Sequence, residues 1–380
     1  MSLERPPELT ERRQALVADL LAFVRAAGPT PLTRPRPPAE AAAFDALAAR
    51  VLAYQVAAVP AYGRLVQAEG GTPASWRAAP LVPTELFRDV DLTASQVAPP
   101  QATFRTSGTT ATAAGAPARG VRRVPDLTLY DAAMEAPFAE AVLRGGASPD
   151  EAPPAPTRWL SLIPSAQALP DSSLSHMVTT LAGRLAAQTT WATGPDGLDA
   201  ALAWAALDEA AHAREPVALL ATSFALVQLL DAAPGRRVRL AAGSRAMLTG
   251  GFKGRSRTLE PTALLALAAK RLGLPGEAVA DEYGMTELTS QAYAARAGEP
   301  LVAPPWLRLR VVDPASHEEL PPGHEGLVAF FDLLNLDNVS ALVTSDLGVL
   351  DAAGGLTLRG RAPGTPARGC SLTAEELGVR

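Results

Sequence analysis

The chain holds a single cysteine, Cys370, so it can form no internal disulfide, and a lone thiol fits a reducing, cytoplasmic setting. Lysine is almost absent: Lys253 and Lys270 stand alone in a chain rich in arginine, alanine and proline. That bias looks genomic, so arginine enrichment carries little weight and the two lysines stand out. There is no basic excess either. A net charge of −5 and a pI near 5.5 give no field for nucleic acid or an anionic membrane. Long hydrophobic runs are missing: the longest, Pro216–Leu230, is too short to span a bilayer and is broken by Thr222, Ser223 and Gln228. The N-terminus is charged from Glu4 onward and is not expected to be a signal peptide. Of four histidines, His212, His317 and His324 show no metal-ligand spacing. No GxSxG elbow occurs, which disfavours a serine hydrolase.

What is present is enough apolar material for a large core: 380 residues, 48% hydrophobic, with mean hydropathy +0.09. Residues 8–27 and 39–57 carry apolar positions at helical spacing (Leu16, Leu20, Phe23, Val24; then Phe44, Leu47, Val51, Tyr54). The Pro-rich segments 29–39 and 147–157 read as loops, and no internal repeat is visible. A short strand, "GVRRV", precedes a helix over Leu127–Leu143. Three apolar runs, "TRWLSLI", "PVALLAT" and "RAMLTGG", then precede helices from Ser173, Ser223 and Leu259. This alternation predicts α/β layering around a substantial sheet. From about Pro305 the pattern changes to short strands and turns, predicting a β-rich tail on an α/β body.

Four short stretches carry chemistry. "TSGTT" (106–110) combines hydroxyls with a glycine, which suits phosphate oxygens, although it lacks the lysine of a P-loop. "LTGGFKGR" (248–255) pairs glycines that permit close backbone approach with Lys253. "DEYGMTEL" (281–288) offers a ring for a nucleobase, a hydroxyl for phosphate and a carboxylate for Mg²⁺. "TSDLG" (344–348) offers a carboxylate for a ribose diol. Singly each is weak, because a surface turn or a solvated strand end explains it equally well. Their joint order is far more specific.

That order resembles the adenylate-forming superfamily of acyl-CoA synthetases, luciferases and nonribosomal adenylation domains, whose motifs read [ST]SGTTG, YGxTE and TGD. The narrower resemblance is to LuxE-type acyl-protein synthetases, carried by "VLAYQVAAVPAYGRL", "PLVPTELFRDV", "SLIPSAQALPDSSLSHM", "LTGGFKGR" and "RGRAPGTPARGCSL". It implies an α/β fold, with a large adenylate-forming domain of layered sheets and helices and a very short, β-rich C-terminal subdomain. The expected division is 1–100 (helical part), 101–345 (adenylate-forming core) and 346–380 (truncated C-terminal subdomain). It also implies ATP and Mg²⁺ as cofactors. Thr106, Ser107, Gly108, Thr109 and Thr110 would hold the β- and γ-phosphates, Gly250 and Gly251 would lie under the nucleotide or acyl group, and Tyr283 with Gly284 would face adenine. Thr286 would meet the α-phosphate, Glu287 the magnesium, Asp346 the ribose hydroxyls, Arg361 ribose or phosphate, and His176 the acyl entrance. Departures from the family pattern are Ala111 and Ser345 where glycines are usual, and the lack of any lysine after Lys270. Since the C-terminal lysine of the synthetases is missing, Lys253 becomes one candidate for the cation that neutralises the carboxylate.

The resemblance implies two half-reactions. A carboxylic acid, expected to be fatty, forms acyl-AMP; Cys370 then accepts the acyl group and delivers it to an acyl-reductase (LuxC-like) partner. Neighbouring Arg368 and Arg361 would favour the thiolate. Two alternatives stay open: a CoA or carrier-protein ligase like the phenylacetate–CoA ligases, and a silent scaffold for a reductase. No membrane span and no nucleic-acid partner are expected.

Overall fold

A computed structural model describes residues 7–32, 36–94, 99–106, 119–152, 155–250 and 260–362. The N-terminal periodicity becomes α1 (Pro7–Ala26) and α2 (Pro38–Ala58), and Pro60 then starts α3 (Pro60–Ala68). Val59, between them, is extended because a residue before proline is pushed out of the helical region. The chain continues through β1 (Val82–Pro83), a 3₁₀ turn (Thr84–Arg88), β2 (Ala102–Arg105) and β3 (Val121–Val124). Next come α4 (Thr128–Phe138), a π-helical turn (Ala139–Leu143), β4 (Arg158–Ser161), α5 (Ser173–Leu185) and β5 (Gln188–Trp191). A small hairpin, β6 (Thr193–Gly194) and β7 (Gly197–Leu198), leads to α6 (Ala200–Ala213), β8 (Val217–Thr222) and α7 (Ser223–Ala232). Then follow β9 (Arg245–Thr249), α8 (Pro261–Leu272), β10 (Val279–Tyr283) and β11 (Ala292–Ala294). The last strands are β12 (Leu307–Val312), β13 (Glu325–Asp332), β14 (Ala341–Leu350) and β15 (Leu356–Arg361).

Two sheets organise these elements. The first has the order β11-β10-β9-β8-β4-β5 and is parallel except for β11. Its middle strands are buried on both faces, as the unbroken apolar run "VALLA" in β8 requires. One face packs on α6, α7 and α8 and the other on α4 and α5. The connection from β4 runs through α5 outward to β5, whereas β8 lies on the opposite side of β4. The chain therefore reverses direction there, and a reversal opens a crevice outside the carboxyl ends of the strands.

The second sheet has the order β1-β14-β13-β12, with β15 also on β14. Val328, Phe330, Phe331 and Leu342 of its strands share one core with Leu16, Leu20, Phe44 and Val51 of α1 and α2, and Phe331 is the one that faces Phe44. Phe44, Trp76 and Phe331 close this core as an aromatic triad with centroids 5.4–6.0 Å apart. The β-rich segment is thus the floor on which the N-terminal helices rest. The boundary expected at 345/346 falls inside β14. Among the described residues one helix, α2, is long and apolar enough to cross a membrane, but its apolar side chains fill this core. The Pro216–Leu230 run is divided between β8 and α7.

The alternation of strands and helices emerges where it was expected. One pair was missed, β5 and α6. In "AALAWAALDEAAHA" alanine fills both faces, so the buried set Ala203, Trp204, Leu207 and Ala210 leaves a weak period. The N-cap was the available clue: Asp199 accepts a hydrogen bond from Leu202 N at 2.9 Å.

Candidate functional site

Tyr283 is the last residue of β10, at the carboxyl end of the first sheet, and Asp346 lies on β14 of the second. They meet: the Tyr283 hydroxyl donates to Asp346 Oδ2 at 2.8 Å. Burial, reinforced by the Asp346 charge, raises the Tyr283 phenol well above its ordinary range, so it remains a donor at neutral pH. The other oxygen, Asp346 Oδ1, faces Arg361 Nε at 3.1 Å, because Arg361 pairs directly opposite Asp346 in the β14–β15 ladder. Tyr283 also sits beside Phe330, with ring centroids 6.0 Å apart. Tyr283, from the first sheet, therefore converges with Asp346 and Arg361, paired on neighbouring strands of the second.

Ser345, where the resemblance expects glycine, is not idle. Its hydroxyl donates to Glu85 Oε1 and accepts from Arg361 Nη2 at 3.4 Å. The parallel pairing of β1 with β14 brings Glu85 there, since Pro83 stands opposite Val343.

Beyond Tyr283 the chain leaves the sheet. Gly284 permits a close approach: a Cβ there would come within 2.4 Å of Glu282 Oε1 and 3.0 Å of Gln291 Cγ, so one of those side chains would have to shift. Glu282 in turn accepts from the Thr249 hydroxyl on neighbouring β9. Glu287 is buried and Thr286 half-buried. The segment carrying them rests on a polar core formed by the 332–340 stretch, "DLLNLDNVS". Asp332 accepts from Thr289 N (3.0 Å), Ser290 N (2.9 Å) and Ser290 Oγ (2.9 Å), and Asn335 Nδ2 donates to Glu287 O at 2.9 Å. Burial pushes the Asp332 carboxyl up, opposed by those hydrogen bonds and by the nearby Arg122 charge. The same stretch is tied to the N-terminal helices: Arg13 and the Tyr54 hydroxyl both donate to Asp337, and Gln55 Nε2 donates to Asn335 O. Sequence reasoning passed over this stretch, although four Asp and Asn residues within seven positions of an apolar strand–loop–strand are a sign of buried polar wiring.

Thr106 marks the entrance to the 107–118 segment. Its N–H donates to Gly120 O at 3.0 Å, its Oγ1 accepts from Gly120 N at 2.8 Å, and its carbonyl accepts from Arg119 Nε. Arg119 also reaches Asp171 at 2.9 Å, so the neck of the segment is clamped. Ser107, Gly108, Thr109 and Thr110 lie outside the described residues, as do Gly251, Lys253 and Cys370. Gly250 follows β9 with φ +65°, a left-handed turn that glycine adopts without strain. His176 is seated in a cluster of β2 and α4: its Nε2 meets Asp131 Oδ1 at 2.9 Å, and its ring lies 5.6 Å from Phe104 and 5.4 Å from Tyr130.

No family model matches the chain, and no curated protein does. Similar backbones occur among solved structures. ATP-bound MatB from Rhodopseudomonas palustris has 19% identity and a TM-score of 0.45, over 68% of this chain and 47% of that one. O-succinylbenzoate coenzyme A synthetase (MenE) from Bacillus subtilis, in complex with AMP, has 17% identity and a TM-score of 0.44, over 72% and 50%. A long-chain-fatty-acid–CoA ligase (FadD1) from Archaeoglobus fulgidus has 16% identity and a TM-score of 0.46, over 68% and 51%. The chain spans about half the length of these structures.

Proposed function

We propose that this chain activates a carboxylic acid with ATP, forming an acyl-adenylate and pyrophosphate, and then passes the acyl group to a protein thiol for delivery to an acyl reductase. The observation that carries the first half is the convergence of Tyr283, Asp346 and Arg361 beside the anchored segment of Thr286 and Glu287. In the reaction a carboxylate oxygen attacks the α-phosphorus, and the bond to the β-phosphate oxygen breaks as pyrophosphate leaves. Both reactants are anions, so orientation and charge neutralisation govern the rate.

Each residue has a task set by its chemistry. The Asp346 carboxylate accepts ribose hydroxyls, with Tyr283 and Arg361 fixing its two oxygens. The Thr286 hydroxyl donates to the α-phosphate. Among the described residues no three His, Cys, Asp or Glu side chains form a metal cage. Mg²⁺ is commonly held by one or two carboxylates and substrate phosphates, so it needs no such cage. Glu287 would be the carboxylate, and the ion when bound would neutralise phosphate charge.

The test is an ATP–pyrophosphate exchange assay across a panel of carboxylic acids. One acid should support exchange, and a panel without any active member sinks the reading. Asp346→Asn should raise the KM for ATP about tenfold, the loss of a contact worth about 1.4 kcal/mol, with a smaller change in kcat. An unchanged KM would remove Asp346 from the nucleotide site.

A further inference from the structure

We propose that Arg122 is a positioning residue, one that holds the Thr286–Ser290 segment in the conformation that presents Thr286 and Glu287; this rests on the adenylation reading above. Arg122 sits on β3, far in sequence from the segment, and is 2% exposed. Its neighbour Arg123 points the other way, to Asp91 at the surface, as strand alternation dictates.

All five guanidinium N–H groups are used. Nε donates to Asn338 Oδ1 at 3.1 Å, and Nη1 donates to Thr286 O at 3.2 Å and Leu288 O at 2.6 Å. Nη2 donates to Thr289 Oγ1 at 2.5 Å and Asn335 Oδ1 at 3.0 Å. Asn335 is itself bonded to Glu287 O and to the Thr289 hydroxyl, at 2.9 and 2.7 Å. The carbonyls of residues 286, 287 and 288 thus end on Arg122, Asn335 and Arg122 in turn, while Asp332 takes the amides of 289 and 290. Every peptide plane across Glu287 is pinned by a side chain, which fixes the direction in which Glu287 leaves the backbone.

Only arginine can do this. The acceptors are spread around a plane, and the rigid fork of the guanidinium meets them together, whereas a lysine ammonium is a point with three donors. The charge is matched within the network, with Asp332, Glu287 and Asp337 close by and the Tyr130 ring centroid 5.8 Å from the guanidinium carbon. A buried residue tied to Asn335 and Asn338, in the loop joining β13 to β14, and to the segment leaving the first sheet joins the two halves of the candidate site.

The test compares wild type, Arg122→Lys and Thr289→Val as full chains. Arg122→Lys keeps a cation but loses the fork, and Thr289→Val removes the hydroxyl that accepts from Arg122 Nη2 and donates to Asn335 Oδ1 while nearly preserving shape. In the ligand-free protein, amide hydrogen exchange over residues 284–291 should quicken by about tenfold or more in Arg122→Lys, while β4 and β8 keep their protection. In the exchange assay kcat should fall by about 30-fold with the KM for ATP within about threefold, and Thr289→Val should show the same pattern at about three- to fivefold. Unchanged local exchange in a folded Arg122→Lys, or loosening spread evenly over both sheets, overturns the proposal. So does a kcat equal to wild type. If Arg122→Lys does not fold, Thr289→Val decides by the same readouts. A wild type inactive with every acid overturns the adenylation reading instead, and the hydrogen-exchange comparison still upholds or overturns the anchoring.

Discussion

Glu287→Gln is expected to lower acid-dependent pyrophosphate exchange by about 10²-fold or more, the loss of a charge-stabilising contact of roughly 3 kcal/mol. Glu287 is 6% exposed, and glutamine preserves its volume, so the fold should survive. The backbone around it is pinned independently by Asn335 and Asp332, and those bonds do not involve the carboxylate. Glu287 is one of several acids facing the Arg122 charge, and Asp332 and Asp337 persist in the variant. The melting temperature should therefore move by no more than about 3 °C, equivalent to roughly 1–2 kcal/mol in a chain of this size. Full exchange activity in the variant would show that the YGMTE assignment is wrong. A large loss of activity with a collapsed melting curve would be read as unfolding, and Glu287→Asp then separates reach from charge.

Cys370→Ser should separate the two half-reactions. On the proposed reading, forming the acyl-adenylate needs Glu287 and Asp346 but no thiol, whereas capturing the acyl group needs a nucleophile. Serine keeps the shape of cysteine but offers an unactivated hydroxyl, a poor nucleophile at neutral pH. Wild type given ATP and its acid should gain the mass of one acyl group, labile to hydroxylamine and mapped to the peptide containing Cys370. The variant should still exchange pyrophosphate and gain no such mass. If wild type never acquires the acyl group while free CoA is acylated efficiently, the acyl-protein reading gives way to a CoA ligase.

Much of the first sheet was legible because parallel strands covered on both faces write themselves as short apolar runs, and "PVALLAT" and "RAMLTGG" are such runs. Tyr283, Glu287 and Asp346 were legible as members of ordered motifs. The meeting of Tyr283 with Asp346 was not, because a hydrogen bond between residues on different sheets leaves no local trace. Arg122 was invisible for a sharper reason. In "VRRV" two adjacent arginines alternate between interior and surface, and nothing local says which is which. In a chain this rich in arginine, composition argued against giving either one a role. The role of Glu85 beside Ser345 depends on a two-residue strand, β1, whose parallel partner is far away in sequence.

That same pairing sets an order of events on the ribosome. Val82 aligns with Leu342, and α1 and α2 bury their apolar side chains against β13 and β14. At roughly 5–20 residues per second, the floor beneath those helices emerges on the order of tens of seconds after the helices themselves. During that interval Phe44, Leu47, Val51 and Trp76 lack the part of their native cover that β13 and β14 supply, while the first sheet can already close on α4 to α8. Nascent chains halted before β13 should therefore be captured by holdase chaperones through the N-terminal helices. Release of those helices should coincide with emergence of residues 325–350 from the exit tunnel.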